Sequence, residues 1–279
     1  MPVSPTVSVI VPALNEALNL PIVLPRIPKD VTEVILVDGH STDDTVAVAR
    51  QVLPSIRIIP QQGKGKGAAL RTGFAAAKGD IIVMIDADGS TQPEEIPAFV
   101  EALVNGHDFV KGSRFMKGGG TADMSYLRMA GNFGFTWLTR LFFRGRYTDL
   151  CYGYNAFWRR VVPMLELDGT GFEIETMMNI RALRAGLRVT EVPSFEAERI
   201  HGESNLRTFP DGWRVLKTIF RERFRAQPLA VAPRGEEPIR PAIAVPVRPA
   251  HGLVAVPVDE NAELIHTSSA APSEIIAAR

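Results

Sequence analysis

The chain has 279 residues, 46% of them hydrophobic, and its 31 Lys and Arg balance 31 Asp and Glu. That length allows one or two domains with a sizeable core, and zero net charge excludes a globally basic nucleic-acid binder. The single cysteine, Cys151, excludes an intramolecular disulfide framework and any multi-cysteine zinc site, and no apolar run reaches the roughly 20 residues a membrane-crossing helix needs.

In chain order, residues 7–11 form a continuous β-branched apolar run, the pattern of a strand buried on both faces. No basic stretch precedes it, so the expectation is a cytoplasmic protein without a signal peptide. Further strands are predicted at 33–37, 56–59, 81–85 and 107–111. Helices are predicted between them at 18–24, 43–53, 68–77 and 93–104, with Thr42 and Asp43 as an N-cap and Pro93 opening the last. Strand–helix alternation predicts an α/β fold: a Rossmann-like, mainly parallel sheet with helices on both faces and ligands beyond the carboxyl ends of the strands. The second half is less regular, with helices at 124–143 and 171–185, the latter stopped by Gly186, and a strand at 187–192. Trp137 and Trp158 read as core, and Cys151 as a small buried residue.

Residues 206–225 read as a basic amphipathic helix. Phe209, Trp213, Leu216, Ile219, Phe220 and Phe224 recur at helical spacing, with Arg214, Lys217, Arg221, Arg223 and Arg225 between them. The apolar stripe packs either on the core or in an anionic membrane interface. From 226 to 279 there is no aromatic residue, and 8 of the 21 prolines lie there, the composition of a disordered tail or a docking peptide. The charge is segregated. Residues 1–110 carry 8 basic and 13 acidic side chains, whereas 111–160 carry 9 and 2.

The strand at 81–85 runs into Asp86-Ala87-Asp88. Two carboxylates at i and i+2 on one side of a strand end suit a hard divalent cation such as Mg2+ or Mn2+; an acidic turn is the competing reading. The third strand is followed by Gly63-Lys64-Gly65-Lys66-Gly67, which reads either as a phosphate cradle of backbone amides and ammonium groups or as a solvated loop. No G-x-G-x-x-G follows the first strand, which disfavours a dinucleotide-dependent dehydrogenase.

Several segments then occur in a fixed order: Pro12-Ala13-Leu14-Asn15-Glu16; Val37-Asp38-Gly39-His40-Ser41-Thr42-Asp43; Gly65-Lys66-Gly67-Ala68; Asp86-Ala87-Asp88-Gly89; Gly112-Ser113-Arg114-Phe115; Thr148-Asp149-Leu150-Cys151-Tyr152-Gly153-Tyr154-Asn155; and His201-Gly202-Glu203-Ser204-Asn205. Over residues 5–225 this set resembles a family 2 glycosyltransferase of the GT-A fold, and most the polyprenyl-phosphate (dolichyl-phosphate) mannosyltransferase-like branch. The resemblance implies a GT-A domain over 1–225, with a nucleotide-binding part at 5–112, an acceptor part at 113–205 and the helix of 206–225. It implies an inverting, metal-dependent transfer of a sugar from a nucleotide-diphosphate sugar to an acceptor, a polyprenyl phosphate foremost, at a peripheral membrane location. Pro12, Asn15, Glu16, Asp38 and Lys66 match nucleotide-binding positions, and Asp86 and Asp88 match the acids that hold the metal and diphosphate. His201 is an additional metal or phosphate contact, or else a structural loop residue.

The acceptor sets the remaining chemistry. A phosphate acceptor needs a cationic clamp, for which Arg114 and Arg128 are the candidates, with Lys117, Arg140, Arg144 and Arg146 nearby. A hydroxyl acceptor needs a carboxylate base, with Glu175 ahead of Glu173 and Asp149; Glu175 is otherwise an ion-pair partner of Arg181 or Arg184. A sugar-1-phosphate nucleotidyltransferase and a non-catalytic binding module are the competing classes, the first lacking its Gly-rich signature after the first strand. In one departure, Asp38 is followed by Gly39-His40-Ser41 where the family often has paired acids, which leaves the nucleotide base open. In another, many relatives carry C-terminal membrane helices where this chain has its Pro-rich segment.

Overall fold

The computed structural model describes residues 4–203 and 205–226; the predicted tail lies outside the described residues from 227 onward. The first half alternates as its apolar runs dictate: β1 (Val7–Ala13), α1 (Leu20–Val23), β2 (Glu33–Asp38), α2 (Thr45–Val52), β3 (Arg57–Pro60), α3 (Lys66–Ala76), β4 (Ile81–Met84), α4 (Ile96–Val104) and β5 (Phe109–Ser113). The second half contains β6 (Gly120–Thr121), α5 (Tyr126–Phe143), β7 (Asn155–Trp158), α6 (Val162–Leu165), α7 (Glu173–Arg184), β8 (Val189–Pro193), β9 (Phe195–Glu196) and α8 (Thr208–Phe224).

Seven strands form one sheet in the order β3-β2-β1-β4-β7-β5-β8, and β6 and β9 form a separate parallel pair. All neighbours in the large sheet are parallel except β7, which runs antiparallel to both β4 and β5. This is the mainly parallel α/β architecture of the GT-A fold. Strand β7 has no counterpart among the predicted strands. Its four residues follow a motif-rich loop, and a run that short carries no periodicity; only its insertion between β4 and β5 makes it a strand. Both faces of the sheet are covered, so β1, β2 and β4 are apolar almost throughout.

The short β6, α6 and β9 likewise have no predicted counterpart, whereas the remaining elements lie within a few residues of their expected bounds. Helix α1 is one turn, continued by a 3-10 turn from Leu24 to Arg26, because Pro21 and Pro25 leave little room for more. The Asp43 carboxylate accepts from the Thr45 amide at 3.0 Å, as a cap would at the entry to α2. Gly186, at φ +70°, ends the turn after α7.

Helix α8 shows where its apolar stripe goes. Val215 and Ile219 face inward and join a second small core with Tyr147, Leu150 and Ile180, while Phe209, Trp213, Phe220 and Phe224 are exposed. The helix is held in this rotation by an ion pair. Glu222, fully buried, accepts from Arg181 Nε at 3.0 Å and Nη2 at 2.7 Å, and from Arg184 Nη1 at 3.1 Å. Arg181 also donates to the carbonyls of Leu165 and Glu166 and to Asp168. On the neighbouring α5, Trp137 corrects the sequence reading: it is 62% exposed, whereas Trp158 is core as expected. Removing one partner of a buried pair leaves an uncompensated charge. Glu222→Ala is therefore expected to destabilise the fold by about 3–5 kcal/mol, read as a lower urea midpoint at constant slope.

Candidate active site

A cleft of about 530 Å³ opens at the carboxyl ends of the parallel strands, where such sheets place ligands. One wall is built by Pro12 and Ala13 at the end of β1 and Glu16 beyond it, Gly39 and His40 after β2, Gln61 and Gly63 to Lys66 after β3, and Asp86 to Asp88 after β4. The rest of the lining comes from the second half: Arg114, Cys151, Tyr152, Gly153, Phe172, Glu175, Glu196 and Arg199, with Asp123, Arg128, Asn205 and Leu206.

Asp86 and Asp88 both face this cleft, but not as alternating residues of a strand. Strand β4 ends at Met84, and the two acids sit in the turn beyond it, which Gly89 closes at φ +84°. Each is ion-paired. Lys66 Nζ lies 2.6 Å from Asp86 Oδ1 and 2.7 Å from Glu175 Oε1, so one ammonium joins α3, the β4 turn and α7. Arg199 Nη2 lies 2.8 Å from Asp88 Oδ2 and its Nη1 3.1 Å from Glu16 Oε1. Burial pushes the Asp86 and Glu175 carboxyls above their ordinary ranges, and Lys66 pulls against it in both. For Lys66 itself, burial works to lower the pKa, but Asp86 and Glu175 outweigh it and hold the ammonium above the usual lysine range.

Two carboxylates beside an open cleft are an incomplete oxygen shell, which suits a hard cation that takes its other ligands from phosphate and water. The donor set therefore fits Mg2+ or Mn2+. Among the described residues no group of three His, Cys, Asp or Glu side chains gathers. The expected third contact, His201, is exposed and off the cleft wall, where its backbone carbonyl accepts from Asn19 Nδ2 at 3.2 Å.

Other expected residues are placed differently from their sequence reading. Asn15, at φ +57°, accepts from the Thr42 amide at 2.8 Å and donates its own amide to Ser41 Oγ at 3.0 Å, tying two strand-end loops together without lining the cleft. Asp38 also lies off the wall, its carboxylate accepting from the Ser41 amide at 3.2 Å. At the end of the glycine-rich loop the amides do not face the cleft freely. The amides of Gly67 and Ala68 donate to the Thr170 carbonyl at 2.9 and 3.4 Å, and a Cβ on Gly65 would come within 2.4 Å of that oxygen. The glycines are there to let the 169–171 segment approach.

On the acceptor side Arg114 is buried and fully engaged. Its Nε and Nη2 donate to Asp149 at 2.6 and 2.9 Å, and its Nη1 to both oxygens of Glu196 at 3.0 Å. It organises the wall and has no free donor fork. Asp149, fully buried under Arg114 and Asn132, does not reach the cleft, and Glu173 caps the 170–171 turn through two backbone amides. Arg128 is the more available cation, half-buried in the cleft lining and 3.6 Å from Asp123. Glu175 is in the cleft wall, paired with Lys66 rather than with Arg181 or Arg184.

Sequence reasoning passes over two participants. Arg199 stands two positions before His201 in the same motif, and its charge is the available signal. Gly153 has no sequence signal: a Cβ there would meet Glu175, Asp86 and Lys66 at 2.8–3.1 Å, a crowding visible only in three dimensions. Cys151, read as buried from the sequence, is half-buried in the cleft lining, and the low polarity of its surroundings pushes the thiol up to about 12. Native protein at pH 8 is therefore expected to react with a disulfide reagent at least about 100-fold more slowly than a free thiol, reaching the free-thiol rate on unfolding.

Comparison with known proteins agrees with this geometry. Residues 8–162 match the family model of glycosyl transferase family 2. A dolichol-phosphate mannosyltransferase of Pyrococcus furiosus is 33% identical over 210 residues, covering 72% of this chain and 59% of that protein. An undecaprenyl-phosphate mannosyltransferase of Micrococcus luteus is 34% identical over 211 residues, covering 71% and 86%. Among solved structures, glucosyl-3-phosphoglycerate synthase of Mycobacterium tuberculosis, in complex with Mn2+, UDP and phosphoglyceric acid, superposes with a TM-score of 0.64 at 25% identity over 79% of each chain. The chain thus spans less than two thirds of the archaeal relative and most of the bacterial one. The matched family model and the strand-end acid pair lead to one assignment: the chain belongs to glycosyl transferase family 2, with polyprenyl-phosphate mannosyltransferases among its relatives.

Proposed function

We propose that residues 1–225 form the catalytic domain of an inverting transferase that moves a sugar from a nucleotide-diphosphate sugar to a polyprenyl phosphate at an anionic membrane surface. The observation that carries the donor half is the pair Asp86 and Asp88, facing an open cleft and balanced by Lys66 and Arg199, two cations that can exchange a carboxylate for a phosphate oxygen. Asp86 and Asp88 would hold the Mg2+ or Mn2+, which offsets charge on the departing diphosphate. Lys66 and Arg199 orient that diphosphate, and Pro12 and Glu16 shape the wall beside it. Asn15 acts indirectly, by fixing the loop that carries Glu16. The acceptor's phosphate is already anionic and needs no base; Arg128 and the exposed Lys117 give it a cationic approach.

A transfer to a hydroxyl is the second reading. It is favoured by Glu175, a buried carboxyl in the cleft wall whose pKa is raised by its burial, the direction a general base needs. The phosphoglyceric acid held in the complex of the mycobacterial synthase points the same way.

Membrane contact is supported by helices α5 and α8. Tyr126, Leu127, Phe133, Trp137 and Leu141 are exposed along one, and Phe209, Trp213, Phe220 and Phe224 along the other. Arg140, Arg214, Lys217, Arg221 and Arg223 are exposed on the same two helices. Apolar side chains flanked by cations are the make-up of an interfacial helix. No described helix is long and apolar enough to cross a membrane, so contact through this surface would be peripheral. Arg128 and Leu206, in the cleft lining, lie near the starts of these helices, which supports an acceptor that reaches the cleft from this surface.

Asp86→Asn or Asp88→Asn is expected to lower metal-dependent release of UDP or GDP by about 100-fold or more, with little change in thermal midpoint; full turnover in either refutes the assignment. Turnover that requires added polyprenyl phosphate supports the lipid acceptor, and turnover with a sugar or glycerate hydroxyl alone replaces it with the second reading. The double variant Trp137→Glu with Trp213→Glu should lose co-flotation with anionic vesicles while keeping its circular dichroism spectrum. Unchanged flotation would remove the membrane contact.

A further inference from the structure

Strand β5 contains an anomaly that the proposed reaction does not use. Its five residues, Phe109 to Ser113, are all buried, and the third is a lysine. Lys111 is fully buried, and its one side-chain hydrogen bond among the described residues runs from Nζ to the Tyr152 carbonyl, at 2.5 Å. The other fully enclosed cations, Arg114 and Arg181, are each matched by carboxylates; Lys111 has no salt bridge among the described residues. It sits in the field of Asp149, Glu175 and Glu191, and its burial still holds the ammonium below the usual lysine range. Burying an ammonium without a carboxylate partner is costly where an apolar residue of the same volume is not. A strand that keeps one does so for something other than stability.

What Lys111 touches points to that purpose. Tyr152 precedes Gly153, where an added Cβ would come within 2.8–3.1 Å of the charged ends of Glu175, Asp86 and Lys66. The whole segment is pinned from behind. The Leu150 carbonyl accepts from Asn179, the Cys151 amide donates to Asn132, the Gly153 carbonyl accepts from Asn155, and the Tyr154 carbonyl accepts from the Gly112 amide. Lys111 supplies the anchor at Tyr152, the carbonyl immediately before the tight contact.

We infer that Lys111 is a positioning residue: from beneath the cleft it clamps the Cys151–Gly153 segment against the Lys66–Asp86–Glu175 cluster and so fixes the distance between the donor wall and the acceptor wall. It touches no substrate. Its loss lets the segment withdraw, loosens the cluster and slows transfer, while the nucleotide contacts on the far wall remain.

Cys151 is the only cysteine of the chain and lies in the clamped segment, so it reports on the clamp without any assay of activity. In Lys111→Met, which keeps the volume and removes the ammonium, the Cys151 thiol should react with a disulfide reagent at least about 10-fold faster than in the unaltered protein, under conditions well below the unfolding midpoint. In the same variant kcat should fall about 10-fold, with affinity for UDP or GDP in the presence of Mn2+ changed less than 2-fold. An unchanged thiol rate overturns the inference, as does a parallel loss of kcat and nucleotide affinity. Should Lys111→Met fail to fold, Lys111→Gln is measured in the same way, and failure of both to fold overturns the inference in favour of a purely structural lysine. The kinetic arm rests on the proposed transfer reaction and the thiol arm does not. Faster thiol reaction in a protein that turns over no nucleotide sugar therefore faults that reaction and leaves the clamp standing.

Discussion

One ammonium group joins the two halves of this chain. Lys66, at the start of α3, lies within 2.7 Å of a carboxylate from the turn after β4 and of another from α7, almost ninety residues later. Neither acid would sit this deep without it. Burial alone drives both towards the neutral form, and two carboxylates this close repel. The same contact decides what the cleft is. The first half supplies the strand-end turns, and the second half supplies the lid of backbone at Gly153 and Thr170 that rests on Lys66, Gly65 and Gly67. Any anion entering the cleft competes with Asp86 and Glu175 for Lys66, and with Asp88 and Glu16 for Arg199. The cleft thus sets two cations among four carboxylates, in ion pairs of the type a diphosphate and its cation would replace.

A second ion pair acts in the same way at a distance. The buried Arg181–Glu222 contact fixes how α8 lies on α7, and with it which face of α8 is turned out. Val215 and Ile219 are buried on the same side as that ion pair, and Phe209, Trp213 and Phe224 point away from the core. An amphipathic helix normally buries its aromatic stripe. Here four of its aromatic side chains are exposed, beside a similarly exposed row on α5. The neutral total charge of the chain conceals this arrangement: acidic groups gather around the donor wall, and exposed basic groups lie on the two outer helices.

Much of the fold is legible in the sequence because parallel strands buried on both faces must be continuous apolar runs, and residues 7–11, 33–37 and 81–85 are such runs. Strand β7 is not legible, since Asn155 to Trp158 becomes a strand only by pairing with β4 and β5. Of the expected site residues, Pro12, Glu16, Lys66, Asp86, Asp88, Arg114, Arg128 and Glu175 line the cleft, and Asn15, Asp38 and His201 do not. The acids after β4 could be found because a charged pair ending an apolar strand stands out locally. Arg114 shows the limit of that reasoning: an arginine in a basic stretch looks like a phosphate clamp until Asp149 and Glu196 are found to occupy its whole guanidinium.

By itself, the sequence determined the strand–helix alternation, the position of the cleft at the strand ends and the acid pair within it, because each of these depends on the order and polarity of nearby residues. Only the tertiary structure decided which charges are already paired, which way the apolar stripe of α8 faces, and that a lysine lies beneath the wall at Gly153. Those outcomes depend on contacts between residues tens to hundreds of positions apart, where a salt bridge or a missing Cβ carries no local signature.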